Sequence, residues 1–510
     1  MYKNVAFITC PSTEVNRPPA AAAALAAIMV KNKCNYRIYD LVLNLYDSLS
    51  PDDWFMCENR WKVNQDQELP ETFFTWLNLT IDTIVTEGHD LVAISVFSKY
   101  STRFAEILLK HLRPKIDVTI IIGGGGIWTP WGDDTFARLI YDQKLVDYVF
   151  RGDGEEQLNN FLNGIDHGPG INFEPFEQLK NLDDLPFPVY DQIEPKNYHY
   201  ENYHEEPGIY VTASRGCVRK CKFCDVNNRW PKYRYRKGAN ITEEIYTAYK
   251  NTGIKIVQFT DSVLNGYIPE FKKLQESLIE YHKKDSNFKI KYYTQFNIRK
   301  KEEMTEELYR LMAEAGADIL ITGVEHASER IRFEMGKEFD DEDLKHHTRM
   351  CAKYGIRNIF LMFIGYPTET IEDHQKMLDF LEEYQVYALS NTISVIRLGF
   401  TGSLDKGTKL ELKTIDNITI KPEFPDLKFM VMDDQNLDWI YGRNWINLNN
   451  PSLTFRERIR RRLEINERCL ELGYPIIKAK EELEIIKMMC EAFYNPSSIK
   501  QLRISDSGDH

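Results

Sequence analysis

Between Val5 and Arg397 the chain repeats one pattern: a short apolar run, a turn, then a longer stretch with apolar residues at helical spacing. Strands that return through helices pair in parallel, and parallel sheets are covered on both faces. The fold class that follows is α/β. Up to residue 165 the strands read Val5 to Thr9, Tyr36 to Leu41, Leu91 to Phe97, Val118 to Ile122 and Tyr148 to Phe150, a doubly wound sheet. From Ile209 six more follow: Ile209 to Ala213, Ile254 to Phe259, Ile290 to Gln295, Ile319 to Val324, Ile359 to Ile364 and Thr392 to Arg397. Helices such as Glu243 to Thr252 and Glu306 to Ala315 intervene. At 510 residues the chain needs two or three cores.

Hydrophobic content of 43% and aromatic content of 12% supply enough apolar surface to bury them. A net charge of −13 argues against a nucleic-acid partner and makes a small-molecule substrate the better expectation. No run approaches the ~18 to 20 apolar residues of a membrane span, and Val5-Ala6-Phe7-Ile8 reads as a strand rather than a signal peptide. The alanine-rich run Ala20 to Val30 follows two prolines and suits a buried first helix. No membrane partner and a cytoplasmic location are expected. Nine cysteines, three of them clustered, do not form a disulfide framework.

The cluster is Cys217, Cys221 and Cys224, in Ser214-Arg215-Gly216-Cys217-Val218-Arg219-Lys220-Cys221-Lys222-Phe223-Cys224. Four thiolates saturate a 4Fe-4S cluster, so a trio leaves one iron open for chemistry. A zinc site would need a fourth ligand, and the only near candidate is His204, upstream. In parallel sheets and barrels, ligands and active residues sit at the carboxyl ends of the strands. The informative segments are therefore Cys10 to Pro19, Ser95 to Thr102, Gly123 to Trp128 and Arg151 to Glu156. Gly123, Gly124, Gly125 and Gly126 strip side chains from a spot where backbone can approach a large planar ligand.

The cysteine spacing, Phe223 before the third cysteine and the strand entering the loop resemble the radical S-adenosylmethionine superfamily. The turn Arg151-Gly152-Asp153-Gly154-Glu155-Glu156 and the Leu185-Pro186-Phe187-Pro188 linker are similar to its cobalamin-binding branch, whose usual turn has Glu where Asp153 stands. This resemblance implies a Rossmann-like cobalamin-binding domain over 1–165, a linker over 166–203 that packs rather than swings, a partial (β/α)6 barrel over 204–400 and a mainly helical extension over 401–510. It implies three cofactors: a 4Fe-4S cluster on Cys217, Cys221 and Cys224, S-adenosylmethionine, and cobalamin. No Asp-x-His-x-x-Gly string occurs, so cobalamin is expected without a histidine ligand from that motif. Ser95, Gly123, Gly124, Gly125, Arg151, Gly152, Asp153 and Glu155 are the residues expected around it.

The same resemblance directs the other strand ends toward S-adenosylmethionine. Phe223 belongs to the cluster loop, and Thr260 and Asp261 face the amino group, although Asp261 can also be read as a helix cap. Thr322-Gly323-Val324-Glu325-His326-Ala327-Ser328, followed by Met335-Gly336-Lys337, places Glu325 and Ser328 near the ribose or methionine end. His326 reads as an acid or base, or as a structural hydrogen-bonder. Gly365 and Tyr366, in Gly365-Tyr366-Pro367-Thr368-Glu369-Thr370, offer backbone to the adenine edge. Arg397 could clamp a carboxylate. Beyond 401 come the Gly407-Thr408-Lys409-Leu410 turn, the aromatics Trp439, Tyr441 and Trp445, and a basic helix from Arg456 to Arg462. The region reads as closing the open side of the barrel over substrate or as a packing extension with a solvated charged face, the basic run as surface charge or as a contact for a phosphorylated substrate, and the tail after Arg503 as disordered.

The implied activity is cobalamin-dependent methyl transfer to an unactivated carbon or phosphorus of a small molecule, initiated by a 5'-deoxyadenosyl radical. An electron donor such as flavodoxin or ferredoxin is implied with it. Three alternatives stand beside it: a radical rearrangement or cyclisation with the same cofactors, a methylthiotransferase using Cys10, Cys34 and Cys57 for a second cluster, and a non-catalytic sensor of cobalamin or S-adenosylmethionine.

Overall fold

The structure, a computed structural model, describes residues 2–11, 15, 18–54, 57, 69–98, 101–128, 134–199, 206–400, 418–419, 446–447 and 450–475. His204, the Gly407 to Leu410 turn, Trp439, Tyr441, Trp445 and the tail after Arg503 lie outside the described residues, as does the side chain of Arg397. The chain divides into two compact units. The first comprises Met1–Arg215, Lys232–Thr260 and Glu280–Ile290; the second comprises Gly216–Pro231, Asp261–Ile279 and Lys291–His510.

In the first unit β1 (Asn4–Thr9), β2 (Asn35–Asp40), β3 (Leu91–Ser95), β4 (Thr119–Gly123) and β5 (Tyr148–Phe150) form a parallel sheet in the order β2-β1-β3-β4-β5. Alternation along the strands divides two cores between its faces. Ala6, Ile8, Val92, Ile94, Ile120 and Ile122 pack to one side. Val5, Phe7, Leu91, Ala93, Ile121 and Phe150 pack to the other, against Ala22, Ala23 and Ala26 of helix Ala20–Lys31 and Leu158 of helix Gly154–Leu162. The expected strands are present, but Leu41 opens a helix. Asp40 caps it through a side-chain bond to the Val42 N–H, and a capped first turn outweighs one more apolar strand residue.

The segment after residue 166 packs along this unit. The Val189 N–H donates to the Ala23 carbonyl, the Tyr198 hydroxyl to Asp40 and the Tyr190 hydroxyl to the Tyr210 carbonyl. The unit also holds the parallel pair β6 (Gly208–Val211) with β9 (Ile256–Phe259), and a short antiparallel pair, β7 (Ser214–Arg215) with β8 (Arg234–Tyr235).

In the second unit β10 (Lys291–Phe296), β11 (Ala317–Glu325), β12 (Arg357–Ile364) and β13 (Ile393–Phe400) run parallel in sequence order. β11 pairs with β12 through Gly323↔Leu361 and Glu325↔Met362, so Val324 bulges out and Glu325 is turned at the strand's carboxyl end. Helices Ile371–Glu383 and Phe455–Glu471 cover β12, with Phe360, Met362, Met377, Phe380, Ile465 and Cys469 in one core.

Candidate active site

Two sets of strand-end residues define candidate sites, one in each unit. In the first unit an open cleft of about 670 Å³ lies where the strand order reverses between β1 and β3, the place where sheets of this order bind ligands. Its lining is small and apolar, including Ala21, Ala93, Ser95, Gly123, Gly124 and Gly152. Only part of the glycine run is there to open space. A Cβ on Gly124, at φ +110°, would stand 2.4 Å from the Val96 carbonyl oxygen, and one on Gly126 would stand 2.2 Å from that of Ser98. These two are glycine because the segment leaving β3 crosses them. Gly123 has only the Phe150 side chain at 3.4 Å, so it is the position whose bareness the cleft itself uses.

The turn after β5 is mostly committed to holding structure. Gly152, at φ +91°, lies against the Phe176 ring, and Arg151 lies over Trp128 at 5.6 Å with Asp134 at 3.6 Å. Asp153 is buried. Its carboxylate accepts from the Leu179 N–H at 2.7 Å, from Arg234 at 2.7 Å and from Arg215. The β7–β8 register places those two arginines opposite each other, which explains why one carboxylate serves both. Burial pushes Asp153 up, but Arg215 and Arg234 more than reverse it and hold the carboxyl below its usual range. Glu155 takes the other edge of Arg215 at 2.5 Å and still lines the cleft. Of the turn residues expected at cobalamin, Gly152 and Glu155 reach the cleft, whereas Asp153 is spent on ion pairs.

In the second unit the cysteine loop is seated by Phe223, which meets Phe363 edge-to-face at 4.9 Å above Ile331, Met335 and Tyr366. The Lys222 N–H donates to the Met335 carbonyl at 2.9 Å. Cys217, Cys221 and Cys224 are free thiols in one loop. Cys217 Sγ accepts from the Arg219 N–H at 3.4 Å, and Asn297 Nδ2 lies 3.9 Å away. Burial raises the Cys221 thiol and pushes Cys224 up to about 12, so metal binding must expel their protons. Among the described residues no three His, Cys, Asp or Glu side chains converge closely enough to hold a single ion.

Thr260 bonds to Thr212 at 2.8 Å, and Asp261 is buried ahead of the turn Leu264–Gly266. Glu325 is buried at φ +67° and pairs with Lys337 Nζ at 2.7 Å. Ser328 is also buried, but its hydroxyl donates to Asp373 at 2.6 Å. His326 is a structural hydrogen-bonder: its Nδ1 accepts from the Ser328 N–H at 2.9 Å, and its Nε2 faces Glu369 at 3.5 Å. The Gly365 and Tyr366 N–H groups both point at Glu369, at 2.6 and 3.2 Å, so the backbone expected to meet adenine is pinned from below.

Sequence reasoning missed Lys337 and Glu369 as organisers. Glu369 is fully buried and also takes Arg461 at 2.8 Å. Burial raises it, but His326 and then Arg461 bring it down to about 2. The basic helix is likewise not a solvated face, because Arg458, Arg461 and Arg462 are buried, and Arg458 lies against Gly365 at φ +80°. The available signal was a Glu four residues after a turn glycine, facing a run of arginines too regular for a surface.

Residues 211–381 match the sequence profile of the radical SAM superfamily, which implies a 4Fe-4S cluster and S-adenosylmethionine. The chain is 23% identical over 295 residues to the uncharacterized methyltransferase PH0819 of Pyrococcus horikoshii, covering 54% of this chain and 61% of that one. It is 23% identical over 303 residues to the putative methylthiotransferase MJ0865 of Methanocaldococcus jannaschii, covering 58% and 65%. The chain thus spans less than two thirds of the length of these relatives. Its fold is similar to that of the radical S-adenosylmethionine methyltransferase TsrM of Kitasatospora setae, solved with cobalamin and a [4Fe-4S] cluster bound, with a TM-score of 0.62 at 15% identity over 97% of this chain and 100% of that one.

Proposed function

We propose, from the premise that residues 211–381 belong to the radical SAM superfamily, that this chain is a cobalamin-dependent radical S-adenosylmethionine methyltransferase acting on an unactivated carbon or phosphorus of a small molecule. The observation that carries this reading is the pairing of a three-thiol loop with a bare cleft at the switch point of a separate five-stranded sheet. One set of residues suits an iron–sulfur body and the other a bulky flat ligand.

Cys217, Cys221 and Cys224 would hold the cluster. Their donor set fits: three thiols in one loop, none in a disulfide, with the Arg219 N–H donating to Cys217 Sγ. The cleft around Ser95, Gly123, Gly124, Gly152 and Glu155 would hold cobalamin. When bound, the cluster with S-adenosylmethionine supplies a 5'-deoxyadenosyl radical and cobalamin supplies a transferable methyl group.

The chain's own part is placement and exclusion of water. Phe223 locks the loop onto Phe363, Glu369 fixes the Gly365 and Tyr366 backbone, and Asp261 and Glu325 present buried carboxylates where an ammonium or ribose would be recognised. Ser328 acts through Asp373, and Asp153 through Arg215 and Arg234. The methylthiotransferase alternative needs Cys10, Cys34 and Cys57 together. Cys10 and Cys57 lie in the core on one face of the sheet and Cys34 in the core on the other, so they do not suit one cluster.

Among the described residues no helix is long and apolar enough to cross a membrane. The reading places the enzyme in a reducing cytoplasm with a flavodoxin- or ferredoxin-type donor. Protein purified without air and supplied with cobalamin should hold about four irons and one cobalt. After reduction it should release 5'-deoxyadenosine and move a deuterated methyl group from S-adenosylmethionine to a metabolite. Zinc in place of iron, or iron without deoxyadenosine, would overturn the proposal.

A further inference from the structure

An ion pair with unusual structural cost is mounted directly against the cysteine loop. Glu325 holds a left-handed backbone, a strained conformation for a non-glycine residue that survives only where its surroundings enforce it. Its carboxylate meets Lys337 Nζ at 2.7 Å with both side chains buried. Buried ion pairs seldom repay their desolvation, so such a pair is a weak device for stability. The chain nevertheless makes room for it. A Cβ on Gly323 would stand 2.4 Å from the Glu325 carboxylate and 2.8 Å from Lys337 Nζ, and the Gly323 carbonyl accepts from that Nζ at 3.3 Å.

The mounting is equally specific. Helix Glu329–Met335 ends at Gly336, at φ +90°, whose open face lies against Cys221: a Cβ there would be 3.5 Å from the Cys221 Cα. Lys337 follows at once, with its Nζ 6.0 Å from the centre of the Phe223 ring.

We infer that the Glu325–Lys337 pair sets the reduction potential of the cluster carried by the Cys217–Cys221–Cys224 loop, Lys337 raising it and Glu325 restraining it. The inference rests on the cluster reading above. In reduction one electron passes from the donor, which is oxidised, to the cluster, whose charge becomes one unit more negative. A fixed positive charge beside it favours the reduced form and a fixed negative charge opposes it. Two neighbouring residues thereby have opposite effects, a pattern that a purely packing role would not produce.

The test is a dithionite titration of the reconstituted full chain, followed by electron paramagnetic resonance, without S-adenosylmethionine so that no ligand contact contributes. Lys337→Met should shift the midpoint negative by about 59 mV, a tenfold change in the reduced-to-oxidised ratio for one electron. Glu325→Gln should shift it positive, and Lys337→Arg should remain near the parent. Equal midpoints in all four proteins, or the same direction in both charge-removing variants, would overturn the inference. If Lys337→Met binds no iron, the contrast between Glu325→Gln and Lys337→Arg still decides it. A parent protein that binds no iron at all sinks the cluster reading instead, and iron analysis alone distinguishes that failure.

Discussion

Gly123 and Gly124 are adjacent and bare for different reasons, and substitution separates them. Gly124→Ala places a methyl group 2.4 Å from a backbone carbonyl at a left-handed φ, so neither side chain nor backbone can yield cheaply. The expected cost is about 3 kcal/mol or more, read as a lower urea midpoint. Gly123→Ala meets only Phe150 at ordinary contact distance and should leave that midpoint within about 1 kcal/mol. It narrows the cleft, however, and should weaken cobalamin binding in a spectroscopic titration. Glu369 gives a prediction in pH. Its folded value of about 2 lies below its ordinary 4.5, so it contributes stability that is complete above pH 4.5 and is lost as the pH falls toward 2. Glu369→Gln should flatten that acid limb of the stability curve, while lowering stability at pH 7 by about 1–3 kcal/mol because the buried Arg461 then keeps only Glu457 of its two carboxylates.

At the level of elements, the strands were legible because a buried parallel strand is a bounded apolar run. Tyr148 to Phe150 and helix Glu306–Ala315 fall where the pattern puts them. Their ends were not, because caps decide ends: Asp40 takes Leu41 for a helix, and the Gly323 to Glu325 bulge extends β11 through Glu325, beyond Val324. The cysteine loop was legible as spacing, and Phe223 with it. What spacing does not carry is which carboxylate meets which guanidinium across a hundred residues. Glu369 and Arg461 are 92 apart, Asp153 and Arg234 are 81 apart, and each reads locally as an ordinary surface charge. Spacing likewise does not show that Arg458, Arg461 and Arg462 of the basic helix are buried rather than solvated. Its attachment to the turn after β12 is testable through Thr370, which accepts from the Asp373 N–H while Asp373 returns to the Thr370 N–H. Thr370→Ala removes half of this capping box and should cost about 1 kcal/mol. Asp373 also holds Ser328 and Arg330, so Asp373→Asn should cost more than the cap alone.

For the whole molecule, the two candidate cofactor sites draw on different cores, and this separates their responses to ligand. A ligand that binds only folded protein stabilises by mass action, by about 2.7 kcal/mol at a hundredfold excess over its dissociation constant. That stabilisation appears as slowed amide exchange in the elements whose opening would expel the ligand. Cobalamin added to iron-free protein should therefore protect the strand ends at Ser95 and Gly123 and the start of helix Gly154–Leu162, which line the first-unit cleft. Segments such as helix Asp341–Tyr354, packed in the second unit, should be unchanged. Reconstitution with iron and sulfide, without cobalamin, should protect the loop from Cys217 to Cys224 and the Met335 to Lys337 segment it rests on, since the Lys222 to Met335 bond ties them. Protection by cobalamin at the cysteine loop but not at Gly123 would mean that the cleft is not its site. The bare switch point would then be a feature of packing, and the methyl-transfer proposal would lose its second cofactor while the radical domain stood.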